Sequence, residues 1–265
     1  MTENTYFKPA GTEIYTLPVR IKIVSVDRSG RWLAAGWHDV WKSPAISLAY
    51  GGCFVLISFI FSFGLFEQGY GALVLPLVGA FVLIAPILVV GLYEIARRLE
   101  TGEPVSFGII WNVCWGHASQ IAAMGVVMMI FCFVWILLAI VLFALFFNQG
   151  VPPLDQLAGE ILFSLKGAVF LAIGTVLGAV LATGIFAISA VSIPMLLDIK
   201  IDVITAIAIS FLAVRANWKV MMGWAAMIGM ISFVALASFY VGLAIALPML
   251  GYATWHAYRD LIEPI

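Results

Sequence analysis

From Val220 to Trp255 the chain runs for 36 residues without one Asp, Glu, Lys, Arg or His. Water is a poor solvent for such a stretch, since few soluble folds enclose that much contiguous apolar surface. As a single helix the run would be about 54 Å long. A bilayer's hydrocarbon core is only about 30 Å thick. The run therefore reads as two crossings divided near Ser238–Gly242, the second short and bent at Pro248. One long tilted helix is the alternative and would leave five spans instead of six. Composition points to the same solvent: 64% of the 265 residues are hydrophobic and 10% are charged, whereas soluble domains carry about 25% charged residues.

Inside hydrocarbon the backbone has no water to bond, so each long apolar run is expected to close its hydrogen bonds as a helix. The expected spans are about 45–66, 70–96, 118–147, 167–193, 219–238 and 242–258. The expected fold is all-α integral membrane, with six transmembrane helices (or five) as three hairpins, each preceded by a short interfacial amphipathic helix. Residues 1–30 read as a cytoplasmic N-terminal segment and residues 31–265 as a single membrane domain. Residues 1–44 lack the early apolar stretch of a cleavable signal peptide, so the first span is expected to act as an uncleaved anchor.

With both termini inside, twelve of the thirteen Lys and Arg residues fall on the cytoplasmic side and only Lys166 lies outside. That is a positive-inside pattern, and it predicts cytoplasmic N- and C-termini. Two stretches also resemble each other, "VGAFVLIAPILVVGLYEIARRLE" (78–100) and "VGLAIALPMLGYATWHAYRDLIE" (241–263). Their alignment sets Pro86 on Pro248, Tyr93 on Trp255 and Arg97 on Arg259, which suggests a repeated hairpin. Tryptophan-bearing segments precede spans 1, 3 and 5. In the first, Leu33, Trp37, Val40 and Trp41 share one helical face, with Arg31, His38 and Lys42 opposite. That face suits the headgroup layer, as an anchor or as a docking surface. Trp32, Trp37, Trp41, Trp111, Trp115, Trp218, Trp255, Tyr258 and Arg259 are the expected interfacial anchors.

Chemistry inside the membrane needs polar groups, and the spans carry almost none. Glu94 lies one turn before Arg97 and Arg98 and is expected to pair with them. A proton- or sodium-coupled carrier would need an ionisable site near the midplane, and none is visible. His38, His117 and His256 all fall near the cytoplasmic interface and are the candidate metal ligands, but no two share the i,i+3 or i,i+4 spacing of ligands on one helix. Cys53, Cys114 and Cys132 have no zinc-type spacing. Nucleotide-binding and hydrolase motifs are absent, so no catalytic residue and no cofactor are expected. The basic residues are scattered, which leaves nucleic acid out. Gly174, Gly178 and Ala182 form a small-residue stripe that permits close helix packing and marks span 4 as the expected packed centre.

"RWLAAGWHDVWKSPAISLAYG", "PILVVGLYEIARRLETGEP", "SIPMLLDIKIDVITAI" and above all "GYATWHAYRDL" resemble an uncharacterised, largely proteobacterial family of multi-pass membrane proteins, a domain of unknown function. Some of its members carry the label putative cytochrome c oxidase subunit I. The resemblance implies an accessory or assembly role beside a respiratory oxidase; three histidines are too few for the haem-copper subunit itself. Two further readings come from the residues. One is a non-catalytic interaction or assembly component whose partners are membrane lipids and a membrane protein or a second copy. The other is a channel or carrier for an apolar or uncharged solute, built on the proline-bent spans 2 and 6.

Overall fold

The computed structural model describes residues 19–147 and 154–265. The signal-peptide reading, most of the N-terminal segment and the tip of the 3–4 loop lie outside the described residues. The helices are α1 (Arg28–Lys42), α2 (Pro44–Glu67), α3 (Val74–Leu88), α4 (Val90–Thr101), α5 (Phe107–Gly116) and α6 (Ala118–Phe146). They continue as α7 (Leu154–Phe163), α8 (Leu165–Ser189), α9 (Ser192–Asp198), α10 (Val203–Ala216), α11 (Trp218–Ala237) and α12 (Leu243–Leu261). Two short strands, β1 (Val19–Ile21) and β2 (Ile262–Pro264), pair antiparallel with Arg20 opposite Glu263.

Among the described residues five runs are long and apolar enough to cross a membrane: α2, α3 with α4, α6, α8 with α9, and α11. The charge-free stretch is divided where expected. Phe239 and Tyr240 adopt left-handed backbone (φ 52° and 65°) and turn the chain between α11 and α12, so the single long helix does not form. The remaining helix, α12, has 19 residues and ends in polar turns bearing His256, Arg259 and Asp260. Short helices α1, α5 and α10 do precede α2, α6 and α11. Only α1 is strongly amphipathic, since α5 and α10 carry apolar residues on all sides.

Backbone breaks within apolar surroundings leave carbonyls without helical donors, and each break here has a side chain that serves it. Where α3 gives way to α4 beyond Pro86, Leu92 N–H bonds Val89 O, and Tyr50 Oη donates to the released Leu88 O at 2.7 Å. At the α8–α9 break, Ser210 Oγ donates to Ala187 O (2.9 Å) and accepts from Val191 N (3.2 Å). Asn217 at the α10–α11 junction donates to Ala213 O and Lys22 O and accepts from Val24 N. Ser238 does the same between α11 and α12, donating to Ala235 O and accepting from Gly242 N. Few polar residues enter the apolar part of this chain, and these have backbone to satisfy.

The packed centre is α12, not α8. Gly251, Tyr252, Ala253, Thr254 and Trp255 are all buried, against α1 and α2 on one side and α4 and α11 on the others. Two glycines permit the approach. A Cβ on Gly36 of α1 would lie 2.5 Å from Met249 O, and one on Gly51 of α2 would lie 2.3 Å from Ala244 O. Ala244 O is the carbonyl four residues before Pro248, which has no N–H to bond it, so a glycine Cα–H is what α2 offers there. The long helix α8 is buried only at Gly167, Ile185 and Ser189. Sequential helices are not generally the closest partners: α2 runs along α12, and α3 along α6.

Candidate functional site

Between α8 and α11, with α3 and α12 forming the other walls, lies a cavity of about 390 Å³. Pro86 of α3 and Leu247 of α12, next to Pro248, both line it, so the two proline-containing segments are walls of one space. Small residues make the room: Ala182, Ala225, Gly229, Ala246 and Gly251 are on its surface. An empty apolar cavity of about 150 Å³ is large enough for benzene, so this volume admits a ring with a tail, or a chain. Among the described residues no Asp, Glu, Lys, Arg or His lines it.

Its few polar side chains are the hydroxyls of Tyr93, Thr183, Ser189, Ser232 and Thr254, of which Ser232 is only partly buried. Thr183 and Thr254 spend theirs on their own helices, donating to Ala179 O and Leu250 O. Tyr93 and Ser189 are 2% and 1% exposed, line the cavity, and make no hydrogen bond to protein among the described residues. Tyr93 stands at the start of α4, immediately before the charged groups of that helix.

Those charged groups form a polar network at one end of the bundle. Buried Glu94 accepts from Arg97 (2.8 and 2.9 Å) and from Arg98 (2.6 Å), the local pairing that the spacing predicts. Arg259 bridges Glu100 (3.2 Å) and Asp198 (3.4 Å), tying α12 to α4 and α9. Trp255 Nε1 donates to Glu100 (3.0 Å), Tyr258 Oη to Asp198 (2.7 Å) and Trp32 Nε1 to Asp260 (2.9 Å). His256 Nε2 lies 2.7 Å from Asp39 Oδ2, joining α12 to α1, and Lys42 Nζ is 3.4 Å from the other Asp39 oxygen.

The anchor residues therefore divide. Trp37, Trp41, Trp111, Trp115 and Trp218 are 46–71% exposed and Arg259 is partly exposed. Trp32, Trp255 and Tyr258 are enclosed by protein at 3% or less and bond carboxylates, so they hold helices together instead of facing headgroups. The inward face of α1 is Trp32, Gly36, Asp39 and Val40. Of the face expected to meet headgroups, Trp37 and Trp41 are exposed and Val40 is buried, and Gly36 and Asp39 bring the inward face against α12 and His256. The three histidines sit in three different settings. His38 is exposed, His117 Nδ1 lies 3.0 Å from Val113 O at the α5–α6 junction, and His256 faces Asp39. Among the described residues no group of three or more His, Cys, Asp or Glu is placed to hold a metal. The glycine stripe of α8 faces α6, but it accommodates side chains: a Cβ on Gly174 would meet Leu142 at 3.4 Å and one on Gly178 would meet Trp135 at 3.2 Å. Ala182 faces the cavity.

Sequence reasoning missed Tyr93 and Ser189 as cavity residues and Tyr50, Ser210, Asn217 and Ser238 as partners of broken backbone. A signal was present: single polar residues inside or beside apolar runs need a partner in lipid, and asking for each one's partner points toward a helix break or a cavity.

No curated protein and no solved structure matches the chain significantly. Residues 74–198, from α3 through α9, match a family described as "Predicted integral membrane protein (DUF2189)"; the match leaves out α1, α2 and the central α12. Joined with the five long apolar helices, that likeness to a family of unknown function makes this an all-α, multi-pass integral membrane protein.

Proposed function

We propose that the protein is a non-catalytic integral membrane component that holds an uncharged, apolar solute in its intramembrane cavity, as a carrier or a binding protein. The cavity of about 390 Å³ walled by the two proline-containing helices α3 and α12 together with α8 and α11 carries this reading. A lining without ionisable side chains suits a solute that needs no counter-charge and gives a coupled ion no site. The test is binding of the apolar fluorophore 1-aminoanthracene to the purified protein. Saturable binding is expected, lost in Gly229→Phe, which places a ring where an added Cβ meets nothing within 4 Å. Absence of saturable binding to the folded wild type would end this reading.

An interaction or assembly role is a second reading, favoured by two exposed aromatic pairs: Trp37 with Trp41 on α1 (5.5 Å, edge to face) and Trp111 with Trp115 on α5 (5.8 Å, stacked). The membrane surface is one occupant for them and a partner helix is the other. Mild-detergent purification that yields a stoichiometric partner, lost on Trp37→Ala/Trp41→Ala, supports the latter. A monodisperse lone protein removes it.

For placement, we propose an inner-membrane protein with both termini in the cytoplasm and six crossings. Two observations support this. Basic residues crowd one side of the proposed topology. The β1–β2 pairing also holds Val19–Ile21 and Ile262–Pro264 together, as an even number of crossings between them would. With five long apolar helices, α12 is the sixth, and its 19 residues span about 28 Å.

A further inference from the structure

We infer that the cavity selects a neutral lipid by its carbonyl group, with Tyr93 and Ser189 donating hydrogen bonds to the carbonyl oxygen and the apolar walls taking the chain. This rests on the cavity reading above and adds the class of ligand.

A hydroxyl shut away from water without a partner is destabilised, so native proteins supply one. Among the described residues neither Tyr93 nor Ser189 has a hydrogen-bond partner, and both are at least nine-tenths buried and line the cavity. The fully enclosed polar atom left without a partner is Trp224 Nε1, so these two hydroxyls keep their remaining surface toward the cavity. The contrast with Thr183 and Thr254 is informative, because those hydroxyls line the same space and have backbone acceptors. A phenol and a serine offered together to one space suit an acceptor oxygen carried by the occupant.

The position selects the head further. Tyr93 directly precedes Glu94, whose carboxylate is held by Arg97 and Arg98, and Thr254 directly precedes Trp255, which bonds Glu100. The cavity thus ends where apolar helix meets charged network, the level at which an ester carbonyl sits between acyl chain and headgroup. Each arginine there is already paired: Arg97 and Arg98 with Glu94, and Arg259 with Glu100 and Asp198. None of these three guanidiniums is left unpaired to hold a phosphate, so an uncharged ester such as an acylglycerol fits and a phospholipid head does not.

The experiment measures binding of 1-octanoylglycerol, n-dodecane and dihexanoylphosphatidylcholine to the full chain in detergent, for wild type, Tyr93→Phe, Ser189→Ala and Gly229→Phe, with thermal stability recorded for each. Octanoylglycerol is expected to bind more tightly than dodecane. Tyr93→Phe keeps the ring and should weaken octanoylglycerol by about three- to tenfold while leaving dodecane unchanged. Gly229→Phe should abolish both. Dodecane and octanoylglycerol binding alike, or a folded Tyr93→Phe that binds octanoylglycerol like wild type, overturns carbonyl recognition and leaves the apolar cavity standing. Tighter binding of the phospholipid overturns the neutral head. Binding of none of the three overturns the cavity reading itself.

Discussion

Glu94 shows what one residue does in this molecule. Its carboxylate is 1% exposed and receives two arginines of its own helix at 2.6–2.9 Å. Removing one partner of a buried pair costs about 3–5 kcal/mol, because the other charge stays behind. Arg97 and Arg98 keep Glu103 and some contact with solvent, so the low end applies. Glu94→Gln should lower stability by about 3 kcal/mol, read as a fall in detergent unfolding temperature. Asp202 shows the smaller effect of an exposed cap. It accepts from Thr205 N (2.9 Å) and Thr205 Oγ1 (2.6 Å) at the start of α10, and these bonds, the side-chain one first, hold its carboxyl below the ordinary 3.8. A lowered folded value means that the bond stabilises above the unfolded value and that this stability fades as pH falls through the folded one. Asp202→Ala should therefore cost about 1 kcal/mol at neutral pH. The gap to wild type should close only in acid below that ordinary value, as followed by denaturation across pH.

At the scale of elements, glycine decides which helices touch. A Cβ on Gly51 would lie 2.3 Å from Ala244 O, a backbone atom that cannot turn aside. Gly51→Ala must push α2 off α12, and overpacking of this kind costs about 1–3 kcal/mol. Gly174 on α8 meets only the end of Leu142 at 3.4 Å, so Gly174→Ala should be neutral or stabilising by up to about 1 kcal/mol from helix propensity. Paired unfolding measurements check the contrast; equal effects would mean that α8 packs as tightly as α12. The small-residue stripe "GAVFLAIGTVLGAVLATG" was the conspicuous motif, yet the glycines that matter most stand singly in "AAGWHDV" and "AYGGCF". Spacing alone does not reveal them, because their need for glycine comes from a helix some 200 residues away.

For the whole molecule, the β1–β2 ribbon predicts topology. Single cysteines placed at Arg20 and Glu263 in a background without Cys53, Cys114 and Cys132 should share one labelling pattern in intact cells and inverted vesicles. Opposite patterns would sink the even crossing number, and with it the six-span arrangement. The ribbon also closes the molecule: Lys22 and Arg20 lie 3.7 and 3.8 Å from Glu263, and Asn217 fixes the segment between β1 and α1 from both sides.

By itself, the sequence determined the solvent, the helical class and the limits of most apolar helices, with the break at Ser238–Gly242 among them. All of these depend on local hydropathy and on the rule that backbone in lipid must bond to itself. It also contained the Glu94 pairing, which lies within one turn. The span read as 70–96 is one crossing candidate, Val74–Thr101, but it carries a break at Val89 that hydropathy does not mark, where Tyr50, from another helix, satisfies the Leu88 carbonyl. Only the tertiary structure decided that α12 is the centre, that His256 meets Asp39 across 217 residues, and that a cavity opens beside Tyr93. The reason is that lipid and protein interior are about equally apolar. Hydropathy therefore marks which residues leave water, and only packing decides whether they then meet lipid, another helix or an open cavity.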